Sequence, residues 1–295
     1  MKILVTGADG FLGRRLCERL TQNEHEIVKF DRTQGDLTNE NALRYPDAEG
    51  VAGQARHDYG AGVDFVYHLA ARTFVPESWK NPHPFYQNNI MGSVTVLEFC
   101  RTNKIPLVFL SAYVYGSPKY LPIDEQHPLT APSPYHMTKL ACESLCEFYA
   151  ERYDMSIRVM RPFNVYGAGQ SEEFLIPKIF KQIFERNEIE VFDFSPKRDY
   201  IYIDDVINAL ILAQKPWTGL ETFNIGTGVS LSVKEAIEIM LREAGVNKPY
   251  RETGQSRNNE IDDCRADISK ATAVLGFVPQ YSFETGIKKW LEECK

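Results

Sequence analysis

Two tyrosine–lysine pairs at i and i+4, Tyr115 with Lys119 and Tyr135 with Lys139, have the residue types and spacing for proton transfer. An ammonium beside a phenol favours the phenolate and draws a pKa of about 10 towards neutrality. Such a phenolate can take the proton of a substrate hydroxyl as hydride leaves the same carbon for a nicotinamide. The first pair encloses Gly116 and Pro118, which disfavour a helix, so its side chains need not share a face. The second follows Ser133, an N-cap residue type, and Pro134 at the first helical position. It opens an apolar-periodic segment, so Tyr135 and Lys139 are neighbours on one helix. Ser111 ends an apolar run one βα unit earlier and offers a hydroxyl to the reacting oxygen.

Gly7-Ala8-Asp9-Gly10-Phe11-Leu12-Gly13 has the chemistry of a phosphate cradle. Glycines let the backbone turn tightly and let a pyrophosphate approach bare N–H groups at a helix N-terminus; the last permits close helix–strand packing. The G-x-x-G-x-x-G spacing departs from the G-x-G-x-x-G form. Asp31 follows Gly13 by 18 residues, at the end of the second apolar run, where a carboxylate accepts from an adenosine ribose. It favours NAD over the phosphorylated cofactor, whose charge it would repel, and the adjacent Arg32 softens that preference.

These residues need a sheet and helices to position them. Short β-type runs at Lys2 to Thr6, Glu26 to Asp31, Asp64 to Leu69, Pro106 to Ser111 and Ser156 to Arg161 alternate with helical patterns, which reads as βαβ units and a parallel sheet. Phe11, Leu12, Leu16 and Leu20 fall at helical spacing, as do Leu140, Leu145, Phe148 and Tyr149. After Arg161 the pattern changes, with strand-like Tyr200 to Ile203 and Thr222 to Ile225 and helical patterns near 176 to 185 and 233 to 244. The stretch from Arg44 to Gly62 has no clear period and reads as a surface helix or loop. The expected fold is an α/β doubly wound (Rossmann) parallel sheet with a smaller, interleaved C-terminal substrate lobe. The cofactor domain takes 1–164 with 196–225 returning to it; 165–195 and 226–295 form the second lobe.

The 295 residues, 43% apolar and 25% charged, are enough for about two lobes with sizeable cores. No apolar run approaches the ~18 residues of a spanning helix, and the break at Thr6-Gly7 leaves no room for a signal peptide's apolar core. Six scattered cysteines, without C-x-x-C or histidines at zinc-like spacing, fit a reduced, cytoplasmic, metal-free protein. A net charge of -7 without a basic run argues against a nucleic-acid partner, and no membrane partner is expected.

Taken together, the motifs resemble those of the extended short-chain dehydrogenase/reductases, specifically the nucleotide-sugar epimerase/dehydratase group. The resemblance spans nearly the whole chain. It rests on Thr6-Gly7-x-x-Gly10-x-x-Gly13, Asp31, Gly35-Asp36-Leu37, His68-Leu69-Ala70-Ala71, Asn89-x-x-Gly92, Ser111-x-x-Val114-Tyr115-Gly116 and Tyr135-x-x-x-Lys139. It continues through Arg161-Pro162-x-Asn164-x-Tyr166-Gly167, Arg198-Asp199-Tyr200-Ile201, Asn224-x-Gly226-x-Gly228 and Arg257-x-x-Glu260. The resemblance implies a catalytic trio of Ser111, Tyr135 and Lys139. It also implies adenine contacts from Asp36 and Leu37, and a cofactor site lined by Leu69, Ala70 and Ala71, with Asn89 and Pro162 among the cofactor-binding positions. Asn89 has an alternative role as a hydrogen-bonder that positions the catalytic helix. Asn164 is implied at a substrate diphosphate clamped by Arg198 and Arg257, a charge-assisted arrangement. Tyr115 and Tyr166 read as packing residues. Dimerisation through helices near 90 to 100 and 135 to 150 is typical of the family.

The residues after Ser111 bear on the reaction. Sugar 4,6-dehydratases resemble one another in carrying Asp-Glu there, an extra acid and base, and decarboxylases usually carry a glutamate at the second position. Here Ala112 and Tyr113 stand at those substrate-contacting positions. The small residue is like the 4-epimerases, although Tyr113 is bulkier than their usual Thr or Ser. The expected activity is therefore NAD-dependent 4-epimerisation of a nucleotide hexose, most simply a UDP-hexose, through a 4-keto intermediate. Alternatives on the same fold are a 4-ketoreductase, a UDP-glucuronate decarboxylase and a non-catalytic cofactor sensor.

Overall fold

Six strands form a parallel sheet in the order β10-β5-β4-β3-β1-β2. They are β1 (Lys2–Thr6), β2 (Glu26–Phe30), β3 (Phe65–His68), β4 (Leu107–Leu110), β5 (Ile157–Pro162) and β10 (Leu220–Ile225). In register, Ile3 of β1 lies opposite Ile27 on one side and Phe65 on the other. The computed structural model describes residues 1–43, 62–254 and 260–294. The unperiodic stretch from Arg44 lies outside the described residues except for Gly62, and so does Arg257.

The chain divides into two compact units. The first comprises Met1–Val114, Ala131–Arg161 and Ala213–Thr222; the second comprises Tyr115–Thr130, Pro162–Leu212 and Phe223–Lys295. In the first unit, β3 and β4 are buried at every residue, as strands covered on both faces must be. The helices are α1 (Phe11–Gln22), α2 (Val75–Lys80), α3 (His83–Phe85), α4 (Gly92–Asn103) and α5 (Pro134–Tyr153); a π-helical turn, Tyr86–Met91, runs into α4. Leu4, Val66, Leu107 and Ile157 pack with Val96 and Cys100 of α4 and with Cys142 and Cys146 of α5. Ile3 and Val5, also buried, point by the two-residue period of a strand to the opposite face, where α1 meets β1 and β2. Residues immediately after Thr6, Phe30, His68 and Leu110 therefore share the carboxyl edge of the sheet, where open α/β sheets bind ligands.

The first five strands begin and end within one residue of the expected runs. Helix α5 starts at the expected place: Pro134 is its first residue and the Ser133 side chain accepts from the His136 N–H at 3.4 Å.

The second unit carries β6 (Asn164–Tyr166), α6 (Leu175–Glu185), β7 (Ile189–Val191), β8 (Lys197–Arg198), β9 (Tyr200–Tyr202) and α7 (Ile203–Leu212). Further along are β11 (Leu231–Ser232), α8 (Val233–Ala244), β12 (Tyr250–Glu252), β13 (Asp263–Cys264) and α9 (Phe283–Glu293). Its strands form small sheets, β11-β8-β13, β12-β7 and β6-β9. Ile203 starts α7 rather than ending a strand, because Asp204 and Asp205 suit a helix's first turn. Helix α8 opens on a capping box between Ser232 and Glu235. The ring of Tyr166 fills the space left by Gly286, whose added Cβ would lie 2.0 Å from the phenol oxygen, so Tyr166 is a packing residue. No helix among the described residues is long and apolar enough to cross a membrane.

Candidate active site

The glycine turn is built so that its backbone stays bare. Gly7 adopts φ +71°, and a Cβ there would come within 2.8 Å of the Ala70 nitrogen. The Gly10 N–H closes the turn on the Gly7 carbonyl at 3.0 Å, and the Arg14 N–H starts the helix by donating to the Gly10 carbonyl. A Cβ on Gly13 would sit 2.0 Å from the Gly7 oxygen, so α1 packs against the turn that follows β1 only because that position is glycine. Gly10 is the N-cap and provides no side-chain oxygen. The first-turn amides, at Phe11, Leu12 and Gly13, thus have no side-chain cap, and a helix N-terminus of this kind suits a pyrophosphate.

Asp31 follows β2 at the same edge. Its Oδ1 accepts from both the amide and the hydroxyl of Thr33, each at 2.7 Å. Partial burial disfavours its charge, but the Thr33 bonds outweigh that and hold the carboxyl below the usual aspartate range. Asp9, in the glycine turn, is raised mainly by its hydrogen bond to Asp31. Arg32 is exposed. Asp36 caps its own turn by accepting from the Thr38 N–H at 2.9 Å. Leu37 packs on the core and touches the Cα side of Gly92, 3.3 Å from where a Cβ would stand. Leu69 and Ala70 are tied to Thr6, whose carbonyl accepts the Leu69 N–H at 3.2 Å and whose hydroxyl accepts the Ala70 N–H at 3.4 Å; with Ala71 they are half-buried.

Ser111, Tyr135 and Lys139 are brought together from the end of β4 and the first turns of α5. Tyr135 clusters with Ala112, Val114 and Phe85, and Tyr113 is half-buried beside them in sequence. Lys139 is buried and donates Nζ to the Leu110 carbonyl at 2.7 Å, with Nζ 4.9 Å from the centre of the Phe109 ring. Burial lowers this lysine to about 8, against the opposing pull of neighbours such as Glu143. Burial pushes the Tyr135 phenol upward. Here burial prevails over the expected lowering of Tyr135 by Lys139. The Tyr115–Lys119 pair is unsuited to base chemistry: Gly116 has φ +65°, and the fully buried Tyr115 donates its hydroxyl to Asn224 Oδ1 at 2.5 Å.

The Asn89 side chain makes the hydrogen bonds that a positioning role requires. From the π-helical turn, its Oδ1 accepts the Arg72 N–H at 2.8 Å, and its Nδ2 donates to the Arg72 carbonyl at 3.0 Å and to Thr138 Oγ1 at 2.8 Å. Thr138 in turn donates to the Tyr135 carbonyl at 2.7 Å, so the amide holds the turn of α5 that carries the tyrosine. Behind the sheet edge, His68 bridges Thr6 Oγ1 at 2.7 Å and Ser93 Oγ at 2.9 Å. Burial, then the Lys139 charge, pushes its ring down to about 3, so it stays neutral.

Pro162 closes β5 and Asn164 opens β6. The Asn164 side-chain amide donates to the Asp199 carbonyl at 3.2 Å. Arg198 is paired with Glu260 and donates to the Ile261 carbonyl at 2.5 Å and to the Lys197 carbonyl at 2.8 Å. Next to it, the buried Asp199 accepts from the amides of Thr227, Gly228 and Ala266 and from the Thr227 hydroxyl, fixing the turn beyond β10.

Residues 3–226 match the family model described as NAD dependent epimerase/dehydratase family. The chain belongs to that family. A putative UDP-glucose 4-epimerase of Methanocaldococcus jannaschii is 34% identical, over 97% of this chain and 96% of that one. The structure of a UDP-glucose 4-epimerase with UDP-glucose from Thermotoga maritima superposes with a TM-score of 0.86 at 26% identity, covering 99% and 98% of the two chains. That of a UDP-glucuronic acid 4-epimerase from Bacillus cereus, in complex with UDP-glucuronic acid and NAD, gives 0.85 at 28% identity, covering 100% of each. The family is NAD-dependent, and the bare glycine turn and Asp31 fit that cofactor.

Two charged residues beside Ser111, Tyr135 and Lys139 were given no role by the sequence: Glu143 was not singled out, and Arg161 stood only as the first residue of a motif. Glu143 accepts the Ser111 hydroxyl, and Arg161 grips the Glu143 carboxylate, with Nε 3.0 Å from Oε1 and Nη2 2.6 Å from Oε2. Signals were available: Glu143 is one further turn of α5 beyond Lys139, and Arg161 interrupts a buried apolar strand.

Proposed function

We propose that this chain is an NAD-dependent UDP-sugar 4-epimerase. The observation that carries the reading is an intact Ser111, Tyr135 and Lys139 with Ala112 and Tyr113 directly after Ser111. Ala112 is buried against Tyr135, and neither residue supplies the carboxylate that dehydration or decarboxylation would use. Full-length similarity to named 4-epimerases supports the same choice.

Bound NAD supplies an acceptor that takes hydride from the sugar and later returns it, with no net redox change. Tyr135 removes the proton of the 4-hydroxyl and later restores it to the same oxygen, after the sugar has turned its other face to the cofactor. Lys139, with three donors of which Leu110 takes one, places positive charge beside that phenol. Ser111 bonds the reacting hydroxyl. The amides of the glycine turn hold the pyrophosphate of the cofactor, and Asp31 selects its free ribose hydroxyls. Asn164, Arg198 and Arg257 hold the substrate diphosphate while the sugar turns over, an effect of orientation rather than bond-breaking.

The first unit thus serves the cofactor and the second the nucleotide. A cytoplasmic homodimer fits the chain: Met91, Met137 and Phe148 are each about half exposed on the helices around α4 and α5.

Incubation with UDP-glucose or UDP-glucuronate and no added NADH tests the function. The 4-epimer is the expected product. Conversion only when reduced cofactor is supplied and consumed would replace this reading with a 4-ketoreductase, and cofactor binding with no conversion would favour the sensor.

A further inference from the structure

We propose that Glu143 is a positioning residue that sets the polarity of the Ser111 hydroxyl, turning its proton inward and presenting its oxygen as a hydrogen-bond acceptor. What that oxygen accepts from, the sugar 4-hydroxyl, rests on the epimerase reading; the polarity itself does not.

The three side chains are nearly closed to solvent, with Ser111 3%, Arg161 5% and Glu143 8% exposed. Ser111 Oγ donates to Glu143 Oε1. Arg161 Nε donates to Oε1 at 3.0 Å and to Oε2 at 3.1 Å, and Nη2 donates to Oε2 at 2.6 Å. Every one of these contacts brings a donor to Glu143. A guanidinium cannot accept, so the carboxylate is the acceptor that both neighbours require. A serine hydroxyl has one proton and two lone pairs, and with the proton committed to Glu143 only the lone pairs remain for a ligand.

This polarity distinguishes the two states of an epimerising sugar. Both 4-epimers are alcohols with a proton to give, and Ser111 accepts it. The 4-keto sugar has no such proton and receives no donor from Ser111, so its oxygen is held by the Tyr135 phenol alone. The intermediate that must turn over loses one of its anchors when it forms and regains it when it is reduced. Replacing Glu143 by glutamine reverses the arrangement: Arg161 claims the amide oxygen, the amide NH₂ faces Ser111, and the serine proton turns outward.

The experiment uses holoenzyme in wild-type form and as Ser111→Ala, Glu143→Gln and the double variant. Infrared difference spectra between wild type and Ser111→Ala, assigned with ¹³C-labelled glutamate, are expected to show a shifted carboxylate band. Absence of any shift overturns the contact whether or not the protein is an epimerase. This readout needs only Ser111→Ala, a small truncation, and so survives a failure of Glu143→Gln to fold. In turnover of the UDP-sugar, Glu143→Gln should lower kcat about a hundredfold, as loss of a placed hydrogen bond at a reacting oxygen does, with KM nearly unchanged. The same substitution should cost nothing further once Ser111 is alanine. An equal loss in both backgrounds would make Glu143 merely structural and overturn the proposal. An infrared shift in a protein that converts no nucleotide sugar would instead retire the epimerase reading and leave the polarity standing.

Discussion

Lys139 reaches from the second turn of α5 to the end of β4 and donates its ammonium to the Leu110 carbonyl at 2.7 Å, one residue before Ser111. The contact ties the lysine's helix to the serine's strand and buries a charge. Burial lowers the group from 10.5 to about 8. Between those values the unfolded chain binds a proton that the folded chain does not, so this site's penalty, about 3 kcal/mol, applies below pH 8 and fades as pH rises towards 10.5. Activity runs the other way, since the ammonium is lost above about 8. The pH profile of kcat/KM should show an alkaline limb near that value. In Lys139→Arg, whose charge persists, the residual activity should lack it; a limb that stays would assign it to another group.

Tyr135→Phe removes the proposed base while leaving the ring in its cluster with Ala112 and Val114. Turnover should fall by roughly 10³-fold, within the span of general acid–base contributions. NAD released on denaturing the purified variant should match wild type. Substantial activity would show that another group moves the proton.

Asn89→Ala strips the Arg72 backbone, which is partly buried, and the buried Thr138 of a partner. Leaving such groups unsatisfied costs about 1–3 kcal/mol, read from the urea midpoint. Because Thr138 braces the Tyr135 turn, kcat should fall as well. Asn89→Asp, which keeps the acceptor for Arg72 but cannot donate to Thr138, should recover stability only in part.

Two glycines of the turn make a matched comparison. A Cβ at Gly13 meets the Gly7 oxygen at 2.0 Å, backbone against backbone, whereas one at Gly10 meets it at 3.1 Å. Gly13→Ala should lose bound NAD and melt lower. Gly10→Ala should keep more of both, and equal NAD content in the two variants would count against the cradle.

Much of this molecule follows from local rules. Alternating β-type runs and helical periods placed β1 to β5 within a residue, Ser133-Pro134 marked the start of α5, and the glycine spacing marked the tight turn from β1 into α1. These features depend on residues a few positions apart, whose sterics and capping are readable in order. Tertiary structure decided what depends on distant partners. Glu143 lies 32 residues from Ser111 and 18 from Arg161, and it becomes part of the site only when α5 packs beside β4 and β5. Asn89 became a brace because α5 brings Thr138 to it from 49 residues away, and Arg198 meets Glu260 from 62 residues on. Lys139 likewise, legible as the tyrosine's neighbour, turned to a carbonyl that only the fold supplies. Backbone propensity is local, but the satisfaction of a buried charge is settled by whichever donors and acceptors the fold places around it.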